Sequence, residues 1–280
     1  MSINTTAIDP TLAAKHRAIW ASGDYPAIVA NVVAPLGPVL VDATGIGPGD
    51  RVLDVAAGTG NVAIPAAQTG ASVVASDLTP ELLATGERIA AERGVVLEWR
   101  EANAERLPFE DDEFDVVTSA IGVMFAPHHR AAADELLRVC KPGGRIGLIN
   151  WTPEGLVGQM FSAMKPFVPP PPPGVQPPPL WGSEAHIGSL FGGRIDELVT
   201  RRKTLTVNRF ETGAAFRDYF KHNYGPTIAA YRNISEDPDR TAALDDALTG
   251  LGERFLMGSS VMHWEYLLVT ARKLGGERAG

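Results

Sequence analysis

The 280 residues include a single cysteine, Cys140, and carry a formal net charge of −8. One cysteine excludes an intrachain disulfide and metal clusters of the CxxC type, and acidic and basic residues mixed along the chain speak against a basic nucleic-acid face. With 45% apolar and 21% charged residues, the chain suits one large domain, or one domain carrying a cap, able to bury a sizeable core.

Met1 to Lys15 lacks a basic region followed by an apolar run, so no signal peptide is expected. No run of about 18 apolar residues follows either, which predicts a soluble, cytoplasmic protein without a membrane span. Pro10 to Ala43 reads as helix in two pieces, broken by Ser22-Gly23-Asp24 and by Pro35 and Pro38. The pattern then changes to short apolar strands alternating with helices. Strands are predicted at Arg51–Ala56, Ala71–Ser76, Val95–Arg100 and Phe114–Ser119, and at Arg145–Trp151 after a sharp Pro142-Gly143-Gly144 turn. Helices are predicted at Asn61–Gln68, at Pro80–Arg93 with proline in its first turn, and at Arg130–Val139. Beyond them, Pro169–Pro173 and Pro177–Pro179 predict extended chain. A helix over Ser183–Leu190, a strand over Leu198–Phe210, mostly helix over 212–257 and a strand over Val261–Arg272 complete the reading. Strand–helix alternation with strands apolar throughout predicts an α/β fold whose parallel sheet is covered on both faces. Such sheets bind ligands beyond the carboxyl ends of their strands.

The sharpest local pattern is Val52-Leu-Asp54-Val-Ala56-Ala-Gly58-Thr-Gly60-Asn61, a strand ending in a glycine turn that opens a helix. Glycine lets the backbone approach a ligand where a Cβ would clash. Gly58-Thr-Gly60-Asn-Val-Ala63 also fits the dinucleotide pattern G-x-G-x-x-G/A, so an NAD-dependent oxidoreductase is one reading. Asp54, four residues before Gly58, would repel a pyrophosphate over the turn and suits a ligand with an ammonium group. Asp77, 23 residues beyond Asp54, is placed to accept both ribose hydroxyl protons. Each aspartate has a plainer reading, Asp54 ordering the turn or capping its helix and Asp77 capping the helix near Pro80. No G-x-x-x-x-G-K-[ST] or G-x-S-x-G motif is present, which argues against a phosphate-loop enzyme and the common hydrolase elbow.

Asp54 to Gly60 resembles the E/DxGxGxG turn of class I S-adenosylmethionine-dependent methyltransferases, with Ala56 in place of the first glycine. The resemblance runs on through Asn103-Ala-Glu-Arg-Leu-Pro-Phe109, Phe114-Asp-Val-Val and Glu135-Leu-Leu-Arg-Val-Cys-Lys-Pro-Gly-Gly144, covering residues 50–151. It implies a Rossmann-like, doubly wound, mostly parallel seven-stranded sheet with an antiparallel last strand, plus helical cap elements. It implies S-adenosylmethionine as cofactor and S-adenosylhomocysteine as product, held by Asp54, Ala56, Gly58, Gly60, Asn61, Asp77, Leu78, Asn103, Ala104 and Glu105. Asn103 would accept from the adenine amino group, Leu78 pack on the adenine face and the Ala104 amide reach the ring. Ser119, Ile121 and Gly122 would line the methionine part. On this fold the chain divides into an N-terminal helical cap (1–45), the cofactor core (46–152), a Pro-rich lid with sixth strand and helical acceptor-site cap (153–258), the final strand (259–273) and a tail (274–280).

The loop Ser119-Ala-Ile-Gly-Val-Met-Phe-Ala-Pro-His-His129 is similar to the F-G-[IV]-R-N loop of ubiquinone and menaquinone C-methyltransferases, but Met124 and Phe125 stand where that family has Arg and Asn. The departure predicts a more apolar acceptor pocket. His128, and next to it His129, are candidate bases if the acceptor must lose a proton; two surface histidines capping the next helix is the competing reading. Trp151, His222 and Tyr224 are expected near the acceptor, and Trp20 and Tyr25 near a helix break that could close over the cofactor. The expected reaction is in-line methyl transfer to a small, partly hydrophobic organic acceptor on oxygen or carbon, with no metal. A non-catalytic methyltransferase-like binding protein, its proline run docking a partner, is the other alternative. A homodimer is one assembly open to it.

Overall fold

The computed structural model describes residues 10–256, 258 and 260–275. The first nine residues, part of the segment read as lacking a signal peptide, and 276–280 of the tail lie outside them, as do 257 and 259 at the cap-to-strand junction. Three N-terminal helices, α1 (Pro10–Ala21), α2 (Tyr25–Ile28) and α3 (Leu36–Thr44), precede the sheet, with a π-helical turn at Val29–Val33 between the last two. The break at Ser22–Asp24 is where it was expected, and the Asp24 side chain caps α2 by accepting from Ala27 N. Pro38, however, lies inside α3. It sits in the first turn, where the missing N–H costs no helical hydrogen bond.

The alternating half comprises β1 (Arg51–Val55), α4 (Ala63–Gln68), β2 (Ser72–Asp77), α5 (Pro80–Glu92), β3 (Glu98–Glu101), β4 (Phe114–Ala120), α6 (His129–Val139) and β5 (Cys140–Trp151). Then come α7 (Leu156–Met164), α8 (Glu184–Phe191), β6 (Ile195–Val207), α9 (Gly213–Asn223), α10 (Gly225–Asn233), α11 (Pro238–Leu256) and β7 (Met262–Lys273). The seven strands lie in the order β3-β2-β1-β4-β5-β7-β6. β1 to β5 pair in parallel, while β7 runs antiparallel to both neighbours. This is the Rossmann-like, doubly wound sheet with an antiparallel last strand. The order reverses between β1 and β4, so the crevice at their carboxyl ends is the natural ligand site.

Three boundaries moved for physical reasons. The third strand begins at Glu98 rather than Val95, because Gly94 (φ +66°) and the Val95 N–H, donated to Ala90 O, still finish α5. The fifth strand begins at Cys140: Pro142–Gly144 is an irregularity within the β4–β5 ladder, whose register shifts between Phe114 and Val116. The second proline run is not simply extended; Pro178–Gly182 forms a 3-10 turn that buries Trp181. Gly182 there lies against the Trp151 carbonyl, where a Cβ would come within 2.1 Å of oxygen.

Candidate functional site

A cavity opens at the carboxyl ends of β1, β2 and β4, where such sheets hold their ligands. Its floor is the glycine turn. Gly58 is left-handed (φ +56°), and a Cβ on it would sit 3.3 Å from the Tyr25 ring. Ala56 (φ +54°) and Ile121 (φ +59°) share that conformation and also line the cavity. For a β-branched residue this is an uncommon backbone state, costing on the order of 1–3 kcal/mol. The Ile121 N–H, donated to Ile149 O at 2.8 Å, and the Ser119 hydroxyl, donated to Val55 O at 2.7 Å, hold the β4 end in place. Gly122 completes the close approach, because a Cβ there would come within 2.3 Å of Ala56 O.

Asp77 ends β2 at the cavity wall, its carboxylate accepting from Gly58 N and Thr79 N, both at 2.8 Å. Burial pushes its pKa up against these bonds. The carboxylate therefore organises the turn and the start of α5. Leu78, Asn103, Ala104 and Glu105 continue the same wall. The Asn103 carbonyl accepts from Glu105 N at 2.9 Å, an Asx turn that shares the oxygen expected to meet adenine. Glu105 is directed at His128, accepting from its backbone N at 2.6 Å and lying 3.2 Å from its Nδ1.

Several expected cofactor residues support the wall instead of forming it. Asp54 is buried, accepting from Ala63 N at 3.0 Å and from the Thr118 hydroxyl at 3.1 Å, and does not line the cavity. These bonds give Asp54 the plainer of its two expected roles, ordering the turn and the first turn of α4. Burial raises its pKa to about 7, opposed by those two hydrogen bonds. Ser119 also accepts from Val123 N at 2.9 Å, and Asn61 donates to Val33 O at 3.1 Å, which takes both out of the lining. Gly60 (φ +84°) makes room for Trp99, whose ring a Cβ would meet at 2.8 Å.

The roof is α1. Leu12, Ala13, His16 and Trp20 face the cavity at helical spacing, the one signal that could have revealed them in the sequence. His16 was not foreseen. Burial lowers its pKa, while nearby Glu105 pulls the other way. Trp20 meets Phe125, Tyr25 and Tyr224 edge-on, at ring-centroid separations of 4.6, 5.3 and 5.8 Å.

A second, much smaller cavity lies behind Trp20, Tyr25, Ile121 and Phe125, all four of which line both spaces. Trp151, Tyr224, Trp264 and Met160 are among its other walls. The structure thus brings Trp20, Tyr25, Phe125, Trp151 and Tyr224 together around one space. It does not bring in His222 or Met124. His222 is exposed on α9, with Nδ1 2.6 Å from Asp218 O, and Met124 is sealed in the core. His128 lines the first cavity only, so as a base it would be removed from an acceptor in the second. His129 is buried against His186 (2.9 Å), and burial lowers its pKa to about 3. The Pro169–Pro179 segment is not itself among the lining residues of either cavity; it packs beside the rim, with Gln176 N donating to Pro127 O and Gly174 next to the His128 ring.

A family model described as a methyltransferase domain matches residues 52–144. An uncharacterized protein of Mycobacterium tuberculosis is 55% identical over 274 residues, 98% of this chain and 100% of that one. The demethylmenaquinone methyltransferase of Clavibacter sepedonicus is 45% identical over 104 residues, 37% of this chain and 42% of that enzyme. Among solved structures, the YcgJ protein from Bacillus subtilis superposes with a TM-score of 0.59 at 19% identity, covering 85% of this chain and 98% of that one. With the glycine turn and the sheet order in place, these matches identify a class I S-adenosylmethionine-dependent methyltransferase domain in this chain.

Proposed function

We propose that this methyltransferase moves the methyl group to a small, largely apolar organic acceptor, on oxygen or carbon, seated in the second cavity. One observation carries the reading: Trp20, Tyr25, Ile121 and Phe125 line both cavities, so donor and acceptor compartments share one wall of side chains. S-adenosylmethionine, when bound, supplies an electrophilic methyl group on a sulfonium. The chain's own part is alignment and exclusion of water, which in well-oriented reactions accounts for about 7–11 kcal/mol of barrier. Asp77 would hold the ribose; Leu78, Asn103 and Ala104 would hold the base; Ala56, Gly58, Ile121 and Gly122 would let the methionine portion pass close to the backbone. Glu105 and His128 act on this reading as positioning residues at the mouth of the first cavity. In-line displacement needs no base at the methyl group unless the acceptor enters protonated.

Two substitutions test the reading. Asp77→Ala should weaken S-adenosylhomocysteine binding by about 1.5–3 kcal/mol in calorimetry, the scale of hydrogen bonds to a charged group. Met160→Trp should leave that affinity intact and abolish transfer of labelled methyl groups to a panel of small apolar acceptors. Label appearing only on protein or nucleic acid would overturn the proposal.

A further inference from the structure

Helix α1 is anchored at its carboxyl end and bare at the other. Gly225 lies against the Ile19 carbonyl, where a Cβ would come within 2.2 Å of oxygen, and Trp20 meets Phe125, Tyr25 and Tyr224 edge-on. Upstream of these contacts no residue of the helix is buried, although Leu12, Ala13 and His16 lie over the first cavity. The Arg17–Glu101 ion pair, at 3.1 Å, is exposed, and such pairs contribute only about 0–1 kcal/mol. His16 holds the helix differently. Its ring is hydrogen-bonded to the Phe125 backbone, and the Glu105 carboxylate attracts its charged form. His16 and Trp20, four residues apart on one helical face, thus both grip Phe125. The Glu105 side chain is only 3% exposed and also accepts from His128 N at 2.6 Å. One imidazole therefore joins the roof to two loops, the one after β4 and the one that begins at Asn103.

Resting on the first cavity as the cofactor's seat, we infer that His16 is a positioning residue, the catch that holds the amino-terminal half of α1 down over a bound cofactor. With the catch broken, that half of the helix keeps only an exposed ion pair and its few cavity-facing side chains. The catch works as a neutral imidazole. Burial, the largest influence, disfavours the imidazolium, and the charges of Lys15 and His128 act the same way, against Glu105 and the Phe125 bond. The other ionisable groups nearby are Arg17, paired with Glu101, and Asp77 and Tyr25, which line the same cavity. A ring released into water returns to the ordinary histidine pKa of 6.5. The closed roof is therefore fully favoured above that pH and loses ground as pH falls below it, because the released ring binds the extra proton.

The test is the dissociation rate of S-adenosylhomocysteine, measured by surface plasmon resonance on the full chain. His16→Ala should release it about five- to twentyfold faster, the scale of one hydrogen bond. Arg17→Ala, which breaks the exposed ion pair on the same helix, should change the rate by no more than about threefold. His16→Gln, whose amide can still donate to the Phe125 carbonyl, should recover most of the loss. Between about pH 8 and 5.5 release from wild type should accelerate, and His16→Gln should show little of that rise. An unchanged rate in His16→Ala, an equal effect of Arg17→Ala, or the wild-type pH slope in His16→Gln would overturn the inference. So would a lowered melting temperature of ligand-free His16→Ala with the release rate unchanged, which would make the side chain a packing residue. Asp77→Ala separates the two levels. If it leaves S-adenosylhomocysteine affinity unchanged, the cofactor seat itself is misplaced. If it weakens binding while His16→Ala does not speed release, only the catch fails.

Discussion

Asp54 and Asp77 show how one residue type serves two ends of the same turn. Asp77 faces the cavity and Asp54 stands behind it, yet each uses its carboxylate to receive backbone N–H groups, Gly58 in the turn and Thr79 before α5 for Asp77, and Ala63 at the start of α4 for Asp54. The discrimination between a sulfonium cofactor and a dinucleotide therefore rests less on a direct Asp54 contact than on the whole constellation. Burial has a measurable consequence. The folded-state pKa of Asp54, about 7, lies above its unfolded value near 4, so between those pH values the native state binds more protons than the unfolded chain. Stability should fall as pH rises through that window, by up to roughly 4 kcal/mol for this group, with Asp77 acting in the same direction. Urea midpoints of the ligand-free protein should decline between about pH 5 and 7, and Asp54→Asn should flatten that decline. An unchanged slope in the variant would assign the loss to other groups.

At the scale of elements, the motifs that mark the family divide into ligand-facing and clasping parts. Glu135 and Arg138 on α6 reach back to the loop before β4: Leu107 N donates to Glu135 at 2.6 Å, and Arg138 donates to Leu107 O at 2.9 Å and Phe109 O at 2.7 Å. Arg138 also pairs with Glu135 and Asp111. This clasp fixes the loop that carries Asn103, Ala104 and Glu105. Arg138→Ala should cost about 2–3 kcal/mol of stability by leaving two carbonyls and two carboxylates without their donor. It should also weaken S-adenosylhomocysteine binding without any direct contact to it. Full affinity alongside the stability loss would show that the loop is held by other means. Trp99 does comparable work on the other side, its ring filling the space that Gly60 and Gly86 leave open. Glycines that looked purely like ligand signals are partly packing signals.

For the whole molecule, the sheet supplies the crevice at the carboxyl ends of its strands and the flanking helices supply much of the second cavity's wall. The walls of the second cavity come from α2, the loop after β4, β5, α7, the end of α9 and β7, segments far apart in the chain. Among the described residues no single helix is long and apolar enough to cross a membrane. A ligand that binds only the folded state stabilises it by mass action. S-adenosylhomocysteine at a hundredfold its dissociation constant should contribute about 2.7 kcal/mol and raise the melting temperature by roughly 5 °C. NADH should give no shift, and a shift of equal size with NADH would contradict the cofactor assignment.

Residue order alone determined the strand–helix alternation, the turn at Asp54 to Gly60, the acidic residue closing β2 and the loop that begins at Asn103. These are local: a turn, its flanking strand and its helix lie within a few dozen residues, and their side chains are chosen by backbone geometry. Tertiary structure alone decided that Asp54 lies behind the wall, that His16 lies over the cavity and that His222 faces outward. It also decided that Trp20, Tyr25, Trp151, Tyr224 and Trp264, from separated elements, line one space with no charged residue among its walls. Such convergence depends on how the helices dock against the sheet. Apolar periodicity shows that a face is buried, but not what stands opposite it.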